Sequence, residues 1–189
     1  MIVQPREYSF LAKADLYRHL PQSYDSFLYL DTDASIIEDI SYGFEKSEKY
    51  GIAACMAPHY SLDHFFGFDK ILKAEGIGCR SQLQYNAGVI FFSRRPEVDA
   101  VMQKWSDLAF DLGVRHDHHH DQPFLTLAME LLDFNPFTLS PAYNYRDFGE
   151  FAVGIIRIWH SHAPVPETLN EFETAWPPRR FRDGKPIAF

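Results

Sequence analysis

Two aspartates separated by one residue follow an apolar run near the start of the chain. Asp31 and Asp33 come directly after the segment 27–30, which reads FLYL. Alternate residues of an extended segment point the same way, so both carboxylates can reach one hard divalent cation. The same spacing is also common in turns, where Asp side chains accept hydrogen bonds from nearby backbone amides. The pair therefore indicates a metal or catalytic site, with turn chemistry as the alternative.

A histidine follows a second apolar run far along the chain. The segment 154–159 predicts a strand, and His160 comes directly after it. In open α/β sheets, ligands bind at the carboxyl ends of strands. Because Asp31, Asp33 and His160 all stand at such ends, we expect them to share one site. His162 offers a second imidazole, and His160 is favoured because it directly follows the strand.

Three kinds of site compete for the aspartate pair. A calcium loop of the EF-hand kind needs Gly at its sixth position and Glu at its twelfth, and counting from Asp31 these are Ile36 and Tyr42. A haloacid-dehalogenase-like phosphatase usually has Thr or Val where this chain has Ser35, and its later Lys and acidic pair have no convincing place here. The third kind holds a divalent ion that bridges a diphosphate. The calcium interpretation fails, and the phosphatase interpretation is weaker than the third.

Hydrophobic periodicity predicts helices and strands that alternate along the chain. Strands are predicted over residues 26–30, 51–57, 84–93, 137–139 and 154–159. Helices are predicted over residues 9–20, 69–75, 97–112, 121–132 and 167–176, with a helical or turn-rich segment over 36–50. Asp121 is expected to cap the fourth of these helices, with Pro123 in its first turn. Strands separated by helices predict an α/β fold, here one domain over residues 1–189.

Five segments carry a family resemblance in order along residues 10–165. They are the helix with Lys13 followed by YDSFLYLDTD, then QYNAGVIFFSRRPEV, HDQPFLTLAM, LSPAYNYR and IIRIWHSHAP. In this order the chain resembles glycosyltransferases with the GT-A fold, close to glycosyltransferase family 8 and its capsular-polysaccharide and mannosyltransferase-like relatives. The resemblance implies a GT-A-like mixed sheet flanked by helices, within the α/β class, that is abbreviated at its N-terminal end.

The resemblance implies a metal site. Asp31 and Asp33 would bind manganese or magnesium together with the phosphates of the donor, and His160 would be the third protein ligand. A neutral imidazole beside two carboxylates suits manganese somewhat better than magnesium. Asn144 is assigned to the cofactor-binding site, where it would line the acceptor side together with Tyr145.

The resemblance also implies roles for four further residues. Lys13 would face the phosphates or the sugar of the donor, and Asn86 would lie near the transferred sugar. Asp121 and Gln122 would contact the donor sugar and the acceptor in the reaction zone. Each role has a structural alternative. Lys13 can be a solvated helix residue, Asn86 can mark a strand entry, and Asp121 can serve as a helix N-cap.

Composition bounds the partners of the chain. The formal charge of −8 gives the chain as a whole no electrostatic reason to bind nucleic acid or an anionic membrane surface. The C-terminal arginines, Arg179, Arg180 and Arg182, can reach phosphates, but a solvated end is favoured. Cys55 and Cys79 predict two free thiols in a reducing cytosol. No apolar run approaches the length of a membrane span, so a cytoplasmic location is expected. The histidine run over 118–120 can bind a stray transition metal, but a polar loop before the buried helix is favoured.

We therefore expect a metal-dependent glycosyltransferase of hexosyltransferase type, acting on a UDP- or GDP-sugar and a sugar-containing acceptor. Only 30 residues precede Asp31, which leaves little chain for the usual nucleoside-binding half. We expect a homo-oligomer or a partner chain to complete the donor site. The alternative is a degenerate, non-catalytic domain that keeps the fold and binds sugar, metal or another protein.

Overall fold

The computed structural model of this protein describes residues 10–78, 83–152, 154–167, 169–170 and 179–187. The chain divides into two compact units. Unit 1 comprises residues 1–25, 56–87 and 93–136, and unit 2 comprises residues 26–55, 88–92 and 137–189. The expectation of one domain over residues 1–189 stays a prediction, because two compact units can belong to one domain.

The strands of the described residues are numbered in chain order. They are β1 (Ser26–Leu30), β2 (Ala34–Ile36), β3 (Ile52–Ser61), β4 (Leu83–Ser93), β5 (Phe137–Leu139), β6 (Tyr145–Arg146), β7 (Phe148–Ala152), β8 (Ile158–His160), β9 (Arg179–Arg182) and β10 (Lys185–Pro186). The α-helices are α1 (Ser41–Tyr50), α2 (Phe68–Ala74), α3 (Pro96–Leu108) and α4 (Gln122–Leu131). Shorter 3₁₀ or π segments cover Phe10–His19, Leu62–His64, Ala109–Gly113 and Pro141–Tyr143.

A sheet with strand order β1-β4-β3-β5 supplies much of unit 2, to which β4 contributes Gly88–Phe92. Strand β3 pairs with β5 in parallel, with Cys55 opposite Leu139. β-branched and aromatic side chains fit such a half-buried pleated surface. The buried side chains of this cluster are Ala53, Cys55, Val89, Phe91, Leu139, Tyr143 and Ile158. Cys55 is a free buried thiol, as expected, whereas Cys79 lies outside the described residues.

Helix α1 approaches this sheet closely because it carries a glycine at the contact. A Cβ added to Gly43 would lie 2.5 Å from the Phe91 ring, and that ring is completely buried. The next residue, Phe44, meets the Phe91 ring edge to face, with 5.1 Å between the ring centroids. The contact therefore needs the absence of a side chain at position 43.

A second sheet of unit 2 has the order β2-β8-β6 and is mixed. Strand β8 pairs antiparallel with β2, where Ala34 is opposite His160, and parallel with β6, where Arg146 is opposite His160. Beside it lies a second buried cluster, formed by Tyr145, Ile156, Trp159, Leu169 and Phe181. This sheet holds the end of β8 next to the turn that follows β1.

A third sheet of unit 2 has the order β10-β9-β7. Strands β9 and β10 form a hairpin whose two loop residues, Asp183 and Gly184, have φ values of 52° and 72°. Positive φ at both positions is typical of the type I′ hairpin turn. The amide of Gly184 donates to the buried carboxylate of Asp147 at 2.5 Å. Burial raises the pKa of the Asp147 carboxyl above its usual range.

Unit 1 is mainly helical. Helix α3 begins at Pro96, as suits proline in a first helical turn, and packs against α4 and the Phe10–His19 segment. Helix α4 is apolar almost all round, and its residues from Pro123 to Met129 are buried, as the sequence predicts. The indole of Trp105 on α3 donates a hydrogen bond to the backbone oxygen of Asp121 at 3.0 Å.

Most predicted elements are confirmed. The strands over 26–30 and 137–139 have the predicted bounds, and β3, β4, α2 and α4 differ from prediction only at their ends. The helix expected over 97–112 is α3 followed by a π segment, and the first helix is of 3₁₀ type. Ser9 of the predicted first helix lies outside the described residues, as do Thr168 and residues 171–176 of the predicted last helix.

The strand expected over 154–159 is wrong in its first half, since β8 contains only Ile158–His160. Gly154 has a φ of 97°, which interrupts an extended chain. The amide of Ile156 donates to the side chain of Asn170 at 3.0 Å instead of to a neighbouring strand. His160 is consequently the last residue of the strand and does not follow it.

The prediction that the histidine run forms a polar loop is also wrong for one of its histidines. His118 is buried, and its ring contacts those of Phe68 and Phe124 at centroid distances of 5.5 and 5.6 Å. Burial lowers the pKa of His118 to about 4. The run therefore contributes to the packing of unit 1.

Candidate metal centre

Asp31 and Asp33 lie in the tight turn between β1 and β2. The amide of Asp31 donates to the backbone oxygen of Gly88 at 2.8 Å, and the amide of Ala34 donates to the backbone oxygen of Asp31 at 3.0 Å. The extended geometry assumed from the sequence is therefore wrong at this point. The two carboxylates converge because a hydrogen-bonded turn carries them.

His160 reaches both carboxylates from the end of β8. Its Nε2 lies 3.7 Å from Asp31 Oδ2 and 3.3 Å from Asp33 Oδ1. The pairing of β2 with β8 sets this position. The amide of Ser161 continues that pairing beyond His160, because it donates to the backbone oxygen of Asp33 at 2.9 Å. One ligand atom from each of Asp31, Asp33 and His160 lies within 4.8 Å of the others.

Two neighbouring side chains orient these groups. Asn144 Oδ1 lies 2.6 Å from His160 Nδ1, and because an amide oxygen only accepts, we assign the imidazole proton to Nδ1. The Nε2 lone pair then faces the two carboxylates. The hydroxyl of Tyr29 donates to Asp31 Oδ1 at 2.6 Å. Hydrogen bonds of this kind fix the tautomer and the orientation of metal-binding side chains.

The donor set fits a divalent cation. Two carboxylate oxygens and one neutral imidazole nitrogen are ligands that manganese, zinc and similar ions accept, and three protein ligands leave coordination positions open. Among the described residues, this is the one group of three or more histidine, cysteine or acidic side chains with such spacing. The histidine run of unit 1 accordingly forms no such group within the part of the chain that the structure describes.

His162 is the second imidazole that the sequence offered. Its side chain is 92% exposed, and its Nε2 lies 3.6 Å from Asp33 Oδ2. Among the described residues, the group whose ligand atoms lie within 4.8 Å of one another contains His160 together with Asp31 and Asp33. His162 helps to line a cleft of about 340 Å³ beside Asp33, together with the hydroxyl-bearing residues Thr32, Ser35 and Ser161.

The residues expected in the reaction zone lie in unit 1. Lys13 Nζ lies 3.4 Å from Asp121 Oδ2. It also lies 3.5 Å from the backbone oxygen of Ala87, the residue that follows Asn86 in β4. The amide of Gln122 donates to Gln84 Oε1 at 3.2 Å. Lys13 and Asp121 are thus brought together, while Asp31, Asp33, His160 and Asn144 form the group in unit 2.

The expected capping role of Asp121 is wrong. Its side chain makes no capping hydrogen bond to α4, and its backbone has φ −80° and ψ −31°. An N-cap side chain normally needs extended backbone angles, so this helical conformation points the carboxylate elsewhere. It pairs with the ammonium group of Lys13, whose side chain is only 12% exposed. Lys13 is therefore not the solvated helix residue considered as its alternative.

Two side-chain contacts at the candidate metal centre were not predicted from the sequence. Tyr29 stands two residues before Asp31, and this spacing within a strand end could have suggested that its hydroxyl reaches the carboxylate. The contact between Asn144 and His160 joins segments 16 residues apart through strands β6 and β8, so it carries no local signal.

Among the described residues, every helix is too short or too polar to cross a bilayer.

Solved glycosyltransferases have a similar fold. The chain is 16% identical to mouse xyloside xylosyltransferase 1 in its apo form, with a TM-score of 0.54, covering 83% of this chain and 64% of that one. It is 14% identical to an active-site mutant of LgtC, with a TM-score of 0.52, covering 87% of this chain and 62% of that one. The chain thus spans less than two thirds of the length of either structure.

No protein-family model matches the sequence, and a search of curated proteins returns no match. Both structural neighbours are GT-A glycosyltransferases. At these identities the likeness concerns the fold. The chain has a mixed α/β fold that resembles the GT-A glycosyltransferase structures.

Proposed function

We propose that this protein is a metal-dependent glycosyltransferase that moves a sugar from a nucleotide-diphosphate donor to an acceptor hydroxyl. The observation that carries the proposal is the convergence of Asp31, Asp33 and His160 in a fold of the GT-A type. The hydrogen bond from His160 to Asn144 adds support, because it turns Nε2 toward the carboxylates.

Asp31, Asp33 and His160 would hold manganese, or magnesium with lower preference because an imidazole favours the softer ion. A divalent cation there would neutralise charge on a leaving nucleoside diphosphate. The chain itself supplies position: Tyr29 holds one oxygen of Asp31, and the β2–β8 pairing fixes His160 against both carboxylates. Such preorganised electrostatics is the main contribution of proteins to this class of reaction.

In unit 1, Asp121 and Gln122 would contact the donor sugar and the acceptor, with Asn86 near the transferred sugar. Lys13 would face the phosphates or the sugar of the donor. The observed pair of Lys13 and Asp121 supports these roles in one respect, since it holds an ammonium group and a carboxylate 3.4 Å apart in a nearly buried position. Buried, paired charges of this kind are frequent at functional sites.

The donor would be a UDP- or GDP-sugar, and the acceptor would carry a sugar. We propose a hexosyltransferase in the cytoplasm, whose donor site is completed by a second copy of the chain or by a partner. The free buried thiol of Cys55 agrees with a reducing compartment.

Thermal unfolding in the presence of UDP or GDP tests the metal-dependent part of the proposal. We expect manganese to be required for stabilisation by the nucleotide, and EDTA to remove the effect. Asp33→Asn should abolish the manganese-dependent shift, whereas Asp69→Asn, a change at an exposed position on α2, should leave it intact. If Asp33→Asn behaves as the unaltered protein does, the metal ligands lie elsewhere.

Hydrolysis of a panel of nucleotide sugars tests the enzymatic part. We expect manganese-dependent release of the nucleoside diphosphate, which Asp33→Asn removes. A manganese-dependent thermal shift without release from any donor would support the alternative of a non-catalytic domain that binds metal and nucleotide. Absence of both effects would contradict both functions.

A further inference from the structure

The outward face of the third sheet combines aromatic and cationic side chains. Residues directly opposite each other on antiparallel strands share a face, and so do alternate residues of one strand. In this sheet Phe148 is opposite Arg182, and Phe151 is opposite Arg180. Lys185 on β10 is opposite Arg182 and extends the row. We call these five residues, Phe148, Phe151, Arg180, Arg182 and Lys185, the Phe–Arg face.

A bulge places both phenylalanines on this face. They are three residues apart, which in a regular strand would put them on opposite sides. The register of β7 and β9 shifts between Phe148 and Phe151, and the extra residue returns Phe151 to the side of Phe148. Phe148 is 66% exposed and Phe151 is 55% exposed. Two large apolar side chains on one face of a small sheet mark an interaction surface.

The other side of the same sheet belongs to the core of unit 2. Phe181 on β9 is 3% exposed, and its ring contacts those of Tyr145 and Trp159. Glu150, between the two phenylalanines, is also buried and binds the guanidinium of Arg146. The acidic side chain of β7 thus points away from the Phe–Arg face, and three of the five residues of this face are cationic.

Hydrogen bonds to a buried tyrosine join two strands of the third sheet. The hydroxyl of Tyr145 donates to the backbone oxygen of Glu150 at 2.8 Å and accepts from the amide of Phe181 at 2.9 Å, which ties β7 to β9. The Arg180 guanidinium lies 5.0 Å from the centroid of the Phe151 ring. Cations and aromatic rings therefore stand side by side on a fixed surface.

We propose that the Phe–Arg face binds a membrane surface that carries anionic lipids. Charge complementarity selects anionic headgroups, since each Lys or Arg near such a surface contributes about fivefold in affinity. The two phenyl rings select a bilayer over a purely polar polyanion, because amphipathic surface binders insert aromatic side chains at the headgroup boundary. The exposed Asp183, in the turn between β9 and β10, adds one negative charge next to this face in the chain.

The net charge of −8 does not oppose this mode of binding at contact. Exposed charges are screened beyond a Debye length of about 8 Å at physiological salt. Groups on the Phe–Arg face would lie within that distance of the headgroups, so their charges would act on the membrane with little screening. The overall negative charge therefore slows the approach of the chain to the membrane, and the residues of the Phe–Arg face determine binding at contact.

Vesicle co-sedimentation tests the proposal and needs neither metal nor nucleotide, so its result is independent of the proposed transferase activity. The whole chain is mixed with vesicles of phosphatidylcholine alone or with about a third phosphatidylglycerol. We expect binding to the anionic vesicles, weakened about tenfold or more by 0.5 M sodium chloride, as charge screening requires.

Two double variants separate the two contributions. Phe148→Ser with Phe151→Ser, and Arg180→Gln with Arg182→Gln, should each weaken binding to anionic vesicles about tenfold or more. The matched control is Phe66→Ser with Lys70→Gln, at exposed positions of unit 1 where Phe66 is 66% exposed. This control should bind as the unaltered protein does, and thermal unfolding checks that every variant is folded.

Three results would overturn the proposal. They are no binding to anionic vesicles at low salt, equal binding by the face variants and the control, and a dimer in sedimentation velocity that Phe148→Ser dissociates without any vesicle binding. The last result would assign the face to a second copy of the chain. If both double variants fail to fold, the single variant Lys185→Glu is tested in their place. An affinity of Lys185→Glu for anionic vesicles equal to that of the unaltered protein would then contradict the proposal.

Discussion

Asn144 accepts a hydrogen bond from Nδ1 of His160 at 2.6 Å. This bond places the Nε2 lone pair of the imidazole on the side where the carboxylates of Asp31 and Asp33 lie, at 3.7 and 3.3 Å from Nε2. A histidine that could rotate or change tautomer would offer a proton to the carboxylates for part of the time. Asn144 therefore orients the imidazole so that Nε2 faces the two carboxylates, as the proposed metal site requires.

Removal of this hydrogen bond should weaken metal binding. We expect Asn144→Ala to lower the affinity for manganese about 10- to 100-fold, the usual effect of losing a partner of a ligating histidine. Asn144→Asp keeps an acceptor oxygen at Nδ1 and should retain affinity within a few-fold. Isothermal titration with manganese measures both, with Asn135→Ala at an exposed position as the control. An affinity of Asn144→Ala equal to that of the control would show that Asn144 does not orient the ligand.

The Lys13–Asp121 pair of unit 1 should contribute to stability as a coupled unit. The side chains are 12% and 7% exposed, so loss of one charge leaves the other in a poorly solvated position. We expect Lys13→Met to lower the free energy of unfolding by about 3 kcal/mol. The double variant Lys13→Met with Asp121→Leu should recover most of this loss. Lys70→Met, at an exposed position, serves as the control in urea unfolding.

If the loss in the double variant equals the sum of the losses measured for Lys13→Met alone and Asp121→Leu alone, Lys13 and Asp121 do not interact across their 3.4 Å separation. Recovery of stability without recovery of transferase activity would separate the structural role of the pair from the catalytic role proposed for Asp121.

The sequence predicts the metal ligands because their signals are local. Asp31 and Asp33 follow an apolar strand, His160 terminates another, and strand ends are where α/β sheets place ligand-binding groups. The geometry that unites them is not local. It depends on the pairing of β2 with β8, and β2 is only three residues long, too short for a pattern of alternation to be recognised.

The third sheet was missed for a related reason. Strand β7 contains a bulge, which breaks the alternation of apolar and polar residues, and β10 has only two residues. Its exposed phenylalanines look like core residues in sequence, because a sequence shows that a side chain is apolar but not which way it points. The Asp-Gly turn over residues 183–184 was the one strong hairpin signal in this region.

Acid should destabilise the packing around His118. Burial lowers the pKa of this histidine to about 4, below the 6.5 of the unfolded chain, so the unfolded state binds more protons between these two values. Stability from His118 is fully present above pH 6.5 and is lost progressively as pH falls toward 4, by about 2 kcal/mol. His120, whose pKa burial also lowers, should add to the same trend.

Urea unfolding between pH 7 and pH 4 measures this loss. His118→Leu keeps an apolar contact with Phe68 and Phe124 and removes the titrating group, so its free energy of unfolding should fall less steeply over the range. His64→Gln changes a histidine whose side chain is 77% exposed and should leave the slope unaltered. A slope for His118→Leu as steep as that of the unaltered protein would assign the acid sensitivity to other groups.

A methyl group at position 43 should destabilise unit 2 despite its benefit to helix formation. Alanine improves intrinsic helix propensity over glycine by up to about 1 kcal/mol. The added Cβ of Gly43→Ala would lie 2.5 Å from the buried Phe91 ring, and overpacking of this kind costs about 1 to 3 kcal/mol. We expect a net loss of about 1 kcal/mol in urea unfolding. Gly78→Ala, whose added Cβ meets no atom of the described residues within 4 Å, should be neutral or slightly stabilising.

A second background identifies the cause of the Gly43→Ala effect. Phe91→Leu removes the ring atoms that the new Cβ would meet, at its own cost to the core. In that background, Gly43→Ala should be neutral or stabilising, because only the propensity gain remains. The coupling free energy between the two positions should then be about 1 kcal/mol or more. A loss that is the same in both backgrounds would show that the close approach of α1 to β4 is not what requires glycine at position 43.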